Sequence, residues 1–406
     1  LEEAIAAYQR AIELKPDFAD AHNDLGIALQ TQGKFDQAIA SYQRALRLNP
    51  EHAEAYNNLG LTFYDQGRAA DARGAYRLAL AIMPQYADAH LNYALTLLLQ
   101  GNFSEGWKEY EWRFESNKEV RNLKSRFRNP LWQGEALAAR KVLLYSEQGL
   151  GDTLQFVRYA PLIAQRGGRV FIECQPELKR LLKSVTGIEE IIGRGEPLPD
   201  FDVHCSLLSL PLALDTRLDT IPAAMPYLQS EPHIAAYWKE KIGGGTELKV
   251  GLVWAGSARE QNPRANSVDR RRSLALRQLE PLAKVPGVRW FSVQKGEPAS
   301  QAKSPPQGLA LVDYTEELRD FADTAGLVAN LDLMITVDTS VAHLAGAMAK
   351  PVWMLSRLDG CWRWLLERED SPWYPSMRIF RQHAHGNWAD VISRVAAALL
   401  DMRRAK

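Results

Sequence analysis

Two short motifs in the chain contain residues that could do chemistry: Asp338-Thr-Ser-Val-Ala-His343 and Gly149-Leu-Gly-Asp152. In the first, an apolar run ends abruptly in an acid and two hydroxyl residues, and small helix formers follow. This pattern predicts a strand, a tight turn and a helix, with His343 about one turn into that helix. A helix start presents free N–H groups and a positive dipole end, so the turn could bind a phosphate. The alternative is that Asp338 only caps the helix.

The second motif follows an apolar run that is typical of a buried strand. Its two glycines would let the backbone approach a ligand closely, and Asp152 would lie at a helix start. The motif is neither a GxGxxG fingerprint nor a P-loop, so alone it indicates little about the ligand.

Both motifs need elements that place them at the ends of strands. After residue 141 the chain alternates strands with helices, and Gly243-Gly-Gly245 indicates a hinge between two such series. Two doubly wound domains facing across a cleft are therefore expected, with both motifs beyond the carboxyl ends of strands. The predicted strands cover 141–147, 169–174, 201–207, 249–255, 288–294, 311–313, 331–337 and 351–355, and the first predicted helices cover 153–165 and 177–185.

The first third of the chain has a 34-residue period, carried by Pro16, Pro50 and Pro84 and by matching tyrosine, alanine and glycine columns. It resembles the tetratricopeptide repeat, a helix–turn–helix unit that stacks into a solenoid with a concave face for peptides or partner helices. The chain opens on Leu1 in a helical pattern, and we expect it to be a fragment of a longer protein.

A polar column at Asp24, Asn58 and Asn92 keeps the same period. It is similar to the asparagine column that binds acceptor backbones in O-linked N-acetylglucosamine transferases, although Asp24 departs from that pattern. Asn58 and Asn92 are therefore candidates for a peptide ladder. The alternative is that these polar groups are solvated or cap local backbone.

Together, the two motifs and the hinge resemble the GT-B glycosyltransferases, and specifically the ADP-heptose:lipopolysaccharide heptosyltransferase family. That family has a Leu-Gly-Asp turn after its first strand and an Asp-Thr-Gly-x-x-His turn near its end. The resemblance spans about residues 141–380, and Ser340 stands where the family has glycine. It implies an α + α/β protein, with a helical solenoid followed by a GT-B fold of two Rossmann-like domains. The expected domains are repeats at 1–118, a connector at 119–137, an acceptor-side domain at 138–242, a donor domain at 246–385, and a helix packing across the domains at 386–406.

The resemblance also assigns roles to individual residues. Asp152 matches the aspartate proposed as general base for the acceptor hydroxyl. Arg272, after the loop 257–269, falls near the family's diphosphate lysine, with Arg271 as the adjacent candidate and a solvated loop as the alternative. Donor-binding residues are expected at Gly149, Gly151, Gly256, Asp338, Thr339, Ser340 and His343, and candidate sugar or base contacts at Arg357, Asp359 and Trp362. For Trp362, as for Trp364, Trp373 and Tyr374, plain packing is the alternative.

Composition excludes several classes of protein. The 406 residues carry 49 basic and 49 acidic side chains, so no basic field indicates nucleic acid. The three cysteines are far apart, which predicts neither a disulfide framework nor a metal site and favours the cytoplasm. No apolar run is long enough for a membrane span. Asp200-Phe-Asp202 resembles a DxD metal motif but opens a predicted strand, so we interpret it as structural, and His204 and Cys205 as core.

These observations leave three hypotheses for function. The first is an inverting, metal-independent glycosyltransferase that uses a nucleotide-diphosphate sugar, ADP-linked by resemblance, and a polypeptide acceptor presented by the repeats. The second keeps the chemistry but makes a lipid-linked or envelope glycan the acceptor. The third is a scaffold whose transferase domain is inactive. No cofactor is expected beyond the sugar nucleotide.

Overall fold

The computed structural model describes residues 1–257 and 263–404, and the chain divides into two compact units. The prediction of helical repeats followed by two parallel α/β halves is confirmed. The first unit runs through Lys124 and includes most of a helix at Lys118–Ser125, whereas the repeats are expected to end at 118. The first unit contains Leu1–Lys124, Thr216–Leu218 and Asp359–Leu366, and the second contains Ser125–Asp215, Asp219–Leu358 and the chain from Glu367 onward.

The first unit is a series of antiparallel helix pairs with the predicted 34-residue period. Glycines after the first helix of each pair, Gly33, Gly67 and Gly101, have positive φ values of 77–78°, which only glycine adopts without strain. The helices are α1 (Glu2–Leu14), α2 (Ala19–Thr31), α3 (Phe35–Leu48), α4 (Ala53–Asp65), α5 (Ala69–Ile82), α6 (Ala87–Leu99), α7 (Phe103–Tyr110), α8 (Arg113–Ser116) and α9 (Lys118–Ser125).

A glycine–tyrosine pair sets the close crossing of the two helices in the repeats α2–α3 and α4–α5, and Ala94 stands at the corresponding position of α6. A Cβ on Gly26 would lie 2.5 Å from Cε1 of Tyr42, and one on Gly60 would lie 2.7 Å from Cε1 of Tyr76. Both tyrosines are fully buried. Any larger residue would force the helices apart, so the periodic glycines follow directly from the packing.

The first half of the second unit is a parallel sheet with strand order β3-β2-β1-β4. β1 lies between two strands, so the turn that follows it emerges near the middle of the sheet edge. The elements are β1 (Lys141–Tyr145), α10 (Leu150–Phe156), α11 (Ala160–Gln165), β2 (Arg169–Cys174), α12 (Lys179–Leu182), β3 (Ile188–Gly193), β4 (Val203–Ser206), α13 (Leu210–Ala213) and α14 (Pro232–Ile242), which leads to the second half.

The second half is a parallel sheet with strand order β10-β9-β8-β5-β6-β7. β8 is again a central strand, and the Asp338 turn follows it. The elements are β5 (Leu248–Val253), α15 (Pro263–Arg272), β6 (Val288–Ser292), β7 (Leu311–Asp313), α16 (Phe321–Ala329), β8 (Leu333–Val337), α17 (Ser340–Ala347), β9 (Val352–Ser356), β10 (Met377–Arg381) and α18 (Trp388–Arg404).

The two halves of the second unit pack directly on each other. α10 contacts α17, and α12 contacts α16. Arg180 on α12 forms ion pairs with Asp320, at 2.9 Å, and with Asp323. These contacts bring the carboxyl ends of β1 and β8 into one site.

Two expectations differ from the structure. β3 and β10 are absent from the predicted strands. The interval 257–269, expected as a loop, contains part of α15; residues 258–262 lie outside the described chain. The C-terminal helix, α18, buries Val391, Ile392, Val395 and Leu399 in the core of the second half, since these positions form one apolar face.

Candidate functional site

The Gly149–Asp152 turn joins the end of β1 to α10. The Asp152 carboxylate accepts a hydrogen bond from the Gly149 backbone N–H at 2.9 Å, so an acid occupies the positive end of this helix. Gln175 supports the turn from β2: its amide donates to the Gln148 carbonyl at 2.8 Å and its oxygen accepts from the Thr153 hydroxyl at 2.9 Å. Asp152 is half-buried, which leaves the carboxylate partly accessible to a reactant.

The Asp338–Ser340 turn joins the end of β8 to α17. Thr339 is the residue that precedes the helix, and its side chain makes no capping hydrogen bond. Thr339, and not Asp338, therefore occupies the N-cap position. Ser340 is not among the residues with positive φ, so serine fits the position that the resemblance assigns to glycine. The first N–H groups of α17 therefore form a helix start that can bind an anion.

The two turns contact each other through Gly151. A Cβ on Gly151 would lie 2.8 Å from Cδ2 of His343, 3.4 Å from its Nε2 and 3.4 Å from Cα of Ser340. Only glycine permits this approach without displacement. The structure thus brings together two motifs that are about 190 residues apart in sequence.

Arg272 and Gly256 complete the second half of this site. The Arg272 guanidinium donates through Nη1 to the Asp338 carbonyl at 2.9 Å, and through Nε and Nη2 to Asp269 at 2.9 and 2.7 Å. A Cβ on Gly256 would clash with both Asp269 and Arg272. A fixed guanidinium beside an uncapped helix start is an arrangement suited to a diphosphate.

Gln294 supports the backbone before Gly256, as Gln175 supports the Gly149–Asp152 turn. Neither glutamine was identified from the sequence. The Gln294 oxygen accepts from the backbone N–H groups of Trp254 and Ala255 at 2.9 and 2.8 Å, and its amide donates to the Ala255 carbonyl at 3.0 Å. Gln294 is 2% exposed. Each glutamine lies within two residues of the end of a strand, Gln175 after β2 and Gln294 after β6, which is the sequence signal that could have identified it.

His343 is held by a buried network that the sequence also did not indicate. Its Nδ1 lies 2.9 Å from the Tyr374 hydroxyl, and both side chains are buried. The Arg158 guanidinium lies 4.7 Å from the Tyr374 ring centroid and donates to the Tyr227 hydroxyl at 2.9 Å and the Trp373 carbonyl at 2.8 Å. An arginine within the otherwise apolar stretch that follows Asp152 is the sequence signal for this network.

The remaining candidates lie in different places. Arg271 donates to Ser267 within its own helix at 3.0 Å, and Arg357 donates to the carbonyl of Val268, which is part of the same helix, at 3.5 Å. Asp359 and Trp362 belong to the first unit. Both are buried there, and the Trp362 ring packs edge-on against Trp107 with centroids 5.3 Å apart.

The polar column of the repeats forms hydrogen bonds between successive repeats. Asn58 donates to Asn23 at 3.0 Å, and Asn92 donates to Asn57 at 2.9 Å. Asn92 is buried, whereas Asn58 is half-buried. These amides therefore link neighbouring first helices, an outcome that neither alternative from the sequence described.

The DxD-like pair lies at the opposite edge of the first sheet. Asp202 accepts from the Lys141 N–H at 2.7 Å, where β1 begins. In residues 1–257 and 263–404 no group of three or more His, Cys, Asp or Glu residues could bind a metal ion. Within the same ranges no helix is long and apolar enough to cross a lipid bilayer.

Comparison with protein families identifies the helical array. Residues 24–87 match the family model of the tetratricopeptide repeat, and residues 1–33 match a second model, described as TPR repeat. Both matches agree with the 34-residue period and the helix pairs of the first unit. The first unit is therefore an array of tetratricopeptide repeats.

Three known proteins are similar over longer stretches. Protein FlbA of Caulobacter vibrioides is 29% identical over 324 residues, which cover 73% of this chain and 52% of that protein, so the chain spans about half the length of this relative. The glycosyl transferase family 9 structure from Veillonella parvula has a TM-score of 0.49 and 10% identity, covering 66% of this chain and 99% of that one. E. coli ADP-heptose LPS heptosyltransferase II has a TM-score of 0.46 and 14% identity, covering 65% and 99%.

Proposed function

We propose that the second unit is an inverting, metal-independent glycosyltransferase that moves a sugar from a nucleotide-diphosphate sugar to a hydroxyl acceptor. The observation that carries this proposal is the contact between the two helix starts through Gly151. It places a partly accessible carboxylate on one side and an uncapped helix start with Arg272 on the other. In one displacement reaction, the carboxylate can act on the attacking hydroxyl, and the helix start with Arg272 can act on the departing diphosphate.

The α17 side suits the leaving group. Breaking the bond between the anomeric carbon and the diphosphate leaves the electron pair, and hence negative charge, on the diphosphate oxygen. The N–H groups that start α17 and the Arg272 guanidinium can stabilise that charge where it develops. This is the chemical task that a metal performs in other transferases, and it supports the metal-independent form of the proposal.

The α10 side suits the nucleophile. As the acceptor oxygen forms its bond to the anomeric carbon, the acceptor proton passes to the Asp152 carboxylate. Attack and departure occur on opposite faces of the sugar in one step, which inverts the anomeric centre. Asp152 would then have two roles, since its carboxylate also accepts from the Gly149 N–H.

A polypeptide acceptor presented by the repeats is the second part of the proposal. Tetratricopeptide arrays bind extended peptides or helices on their concave face, and here one is joined in the same chain to the proposed transferase. Within the described chain no disulfide joins Cys174, Cys205 and Cys361, which supports a reducing, cytoplasmic setting. The nucleotide base is proposed as adenine on the resemblance alone.

Two experiments test these parts separately. Calorimetric titration of the full chain with ADP, GDP, UDP and CDP should show binding of at least one diphosphate, and binding of none would favour the scaffold. Glycan analysis of cell protein and envelope fractions from a deletion strain should show a loss from protein. A loss from the envelope glycan alone would move the acceptor to the second hypothesis.

A further inference from the structure

The hydrogen-bond network behind His343 has a direction set by its donors. Arg158 is 4% exposed, and its guanidinium can only donate. Nε donates to the Gln155 carbonyl at 2.8 Å, Nη1 to the Trp373 carbonyl at 2.8 Å, and Nη2 to the Tyr227 hydroxyl at 2.9 Å. The network therefore begins at a buried cation whose fork is fixed by partners from separated parts of the chain.

The Tyr227 hydroxyl donates its proton to a backbone carbonyl. Its hydroxyl oxygen lies 2.8 Å from the Leu154 carbonyl, which can only accept, so Tyr227 donates there. Tyr227 therefore has no proton left to donate to Tyr374. For the Tyr374 proton, the hydrogen bonds of the network offer two acceptors, the Tyr227 hydroxyl and Nδ1 of His343.

The charge on Arg158 favours the second orientation. The guanidinium lies over the Tyr374 ring and also contacts its hydroxyl, so the oxygen lone pairs face the cation and the proton faces away, towards His343. Burial, with Tyr227 as the next cause, raises the pKa of Tyr374 well above its ordinary value, although Arg158 opposes this shift. Tyr374 therefore keeps its proton at neutral pH.

We propose that Tyr374, oriented by Arg158, fixes neutral His343 in the tautomer that carries its proton on Nε2. The Nε2 edge of the ring faces Gly151, so this tautomer presents an N–H donor beside the Gly149–Asp152 turn. Use of that donor to bind a phosphate or sugar oxygen rests on the proposed function, whereas the tautomer does not. Arg158 and Tyr374 are thus positioning residues that act through His343.

Nitrogen-15 NMR of the full chain tests this directly, because the shifts of the two ring nitrogens distinguish the protonated from the bare one. His343→Gln assigns the resonances among the eight histidines. The wild-type protein should show a bare Nδ1 and a protonated Nε2. A protonated Nδ1 in the wild-type protein would overturn the inference.

Two matched variants locate the cause of the tautomer. Tyr374→Phe keeps the ring and removes the hydroxyl beside His343, and it should abolish the tautomer preference. Tyr227→Phe removes a phenol hydroxyl from the same network, but not the one beside His343, and it should leave the tautomer unchanged. If Tyr374→Phe left the tautomer unchanged, or Tyr227→Phe reversed it, the assigned direction of the network would be wrong.

Kinetics separate this inference from the proposed function. With a nucleotide sugar that the protein uses, Tyr374→Phe should raise KM for the donor about tenfold, the effect of losing one oriented hydrogen bond, with a smaller change in kcat. The expected tautomer without any transfer would refute the function but retain the inference. Sugar transfer by a protein whose His343 carries its proton on Nδ1 would refute the inference but retain the function.

Discussion

The starts of α10 and α17 contact each other, yet they treat the positive end of a helix in opposite ways. At α10 the Asp152 carboxylate accepts from the Gly149 N–H. At α17 the side chain of Thr339 makes no capping hydrogen bond, and Arg272 donates to the Asp338 carbonyl. One helix start contains its own anion and the other can receive one. Under the proposed function, this difference makes the α10 turn the acceptor side and the α17 turn the donor side.

The largest expected effect comes from the α10 side of this comparison. In Asp152→Asn the side-chain oxygen can still accept from Gly149, so the turn should persist while the proton acceptor is lost. We expect kcat to fall about 10²–10⁴-fold, with donor affinity and melting temperature little changed, as measured by initial rates and thermal unfolding. Asp202→Asn is the control, since Asp202 also accepts a backbone N–H but lies away from the site. Wild-type turnover by Asp152→Asn in a folded protein would refute the base assignment.

A smaller loss is expected when the positive charge is removed from the α17 side. Arg272→Gln is combined with Asp269→Asn, so that no buried carboxylate is left unpaired. Loss of one preorganised donor should lower kcat about 10²–10³-fold, measured with saturating donor. Arg271→Gln is the matched control because its side chain bonds within α15. Equal losses from both arginines would indicate a diffuse charge effect and not a specific contact at Asp338.

The contact between the two helix starts can be broken from Gly151. Gly151→Ala should cost about 1–3 kcal/mol of unfolding free energy, because its Cβ would meet His343 at 2.8 Å. Gly74→Ala on α5 is the control: its Cβ would meet no atom within 4 Å, so helix propensity should raise stability by about 0.5–1 kcal/mol. Urea unfolding measures both changes. Equal stability of Gly151→Ala and wild type would mean that the turns are not in close contact.

The smallest effect is expected where the chain departs from the heptosyltransferase pattern. Ser340→Gly keeps the backbone N–H groups of α17, and backbone groups are the proposed phosphate ligands. Affinity for a nucleoside diphosphate should therefore change by no more than about twofold, as measured by calorimetry. A tenfold loss would instead assign a binding role to the Ser340 hydroxyl.

The sequence predicted the parts of this structure that depend on local pattern. The repeat period, the strands that precede both motifs and the α17 helix all follow from runs of apolar residues bounded by glycine, proline or acids. β3 was missed because it contains two consecutive glutamates, Glu189 and Glu190, at an edge of its sheet. β10, the other missed strand, carries arginines at Arg378 and Arg381 and is also an edge strand.

The side-chain network around His343 could not be predicted because its members are distant in sequence. Arg158 contacts residues 64 to 215 positions away, and no periodic pattern connects such positions. The clustering of Gly256, Arg272 and Asp338 was anticipated only through resemblance, and the hydrogen bonds that fix it required coordinates. Local sequence pattern therefore predicts the helices, strands and turns, whereas the hydrogen bonds of the site depend on packing between residues that are distant in sequence.

The most direct test of the central claim is binding of a nucleoside diphosphate at the start of α17. Ser340→Asp places a carboxylate where a helix tolerates acids well, so the fold should persist while the anion site is filled; Ser340→Asn is the neutral control of similar shape. Calorimetry with ADP, GDP, UDP and CDP should show binding to wild type and Ser340→Asn, and binding at least about tenfold weaker to Ser340→Asp. Equal affinity of all three proteins, or no binding by wild type, would contradict the assignment of α17 as the donor diphosphate site.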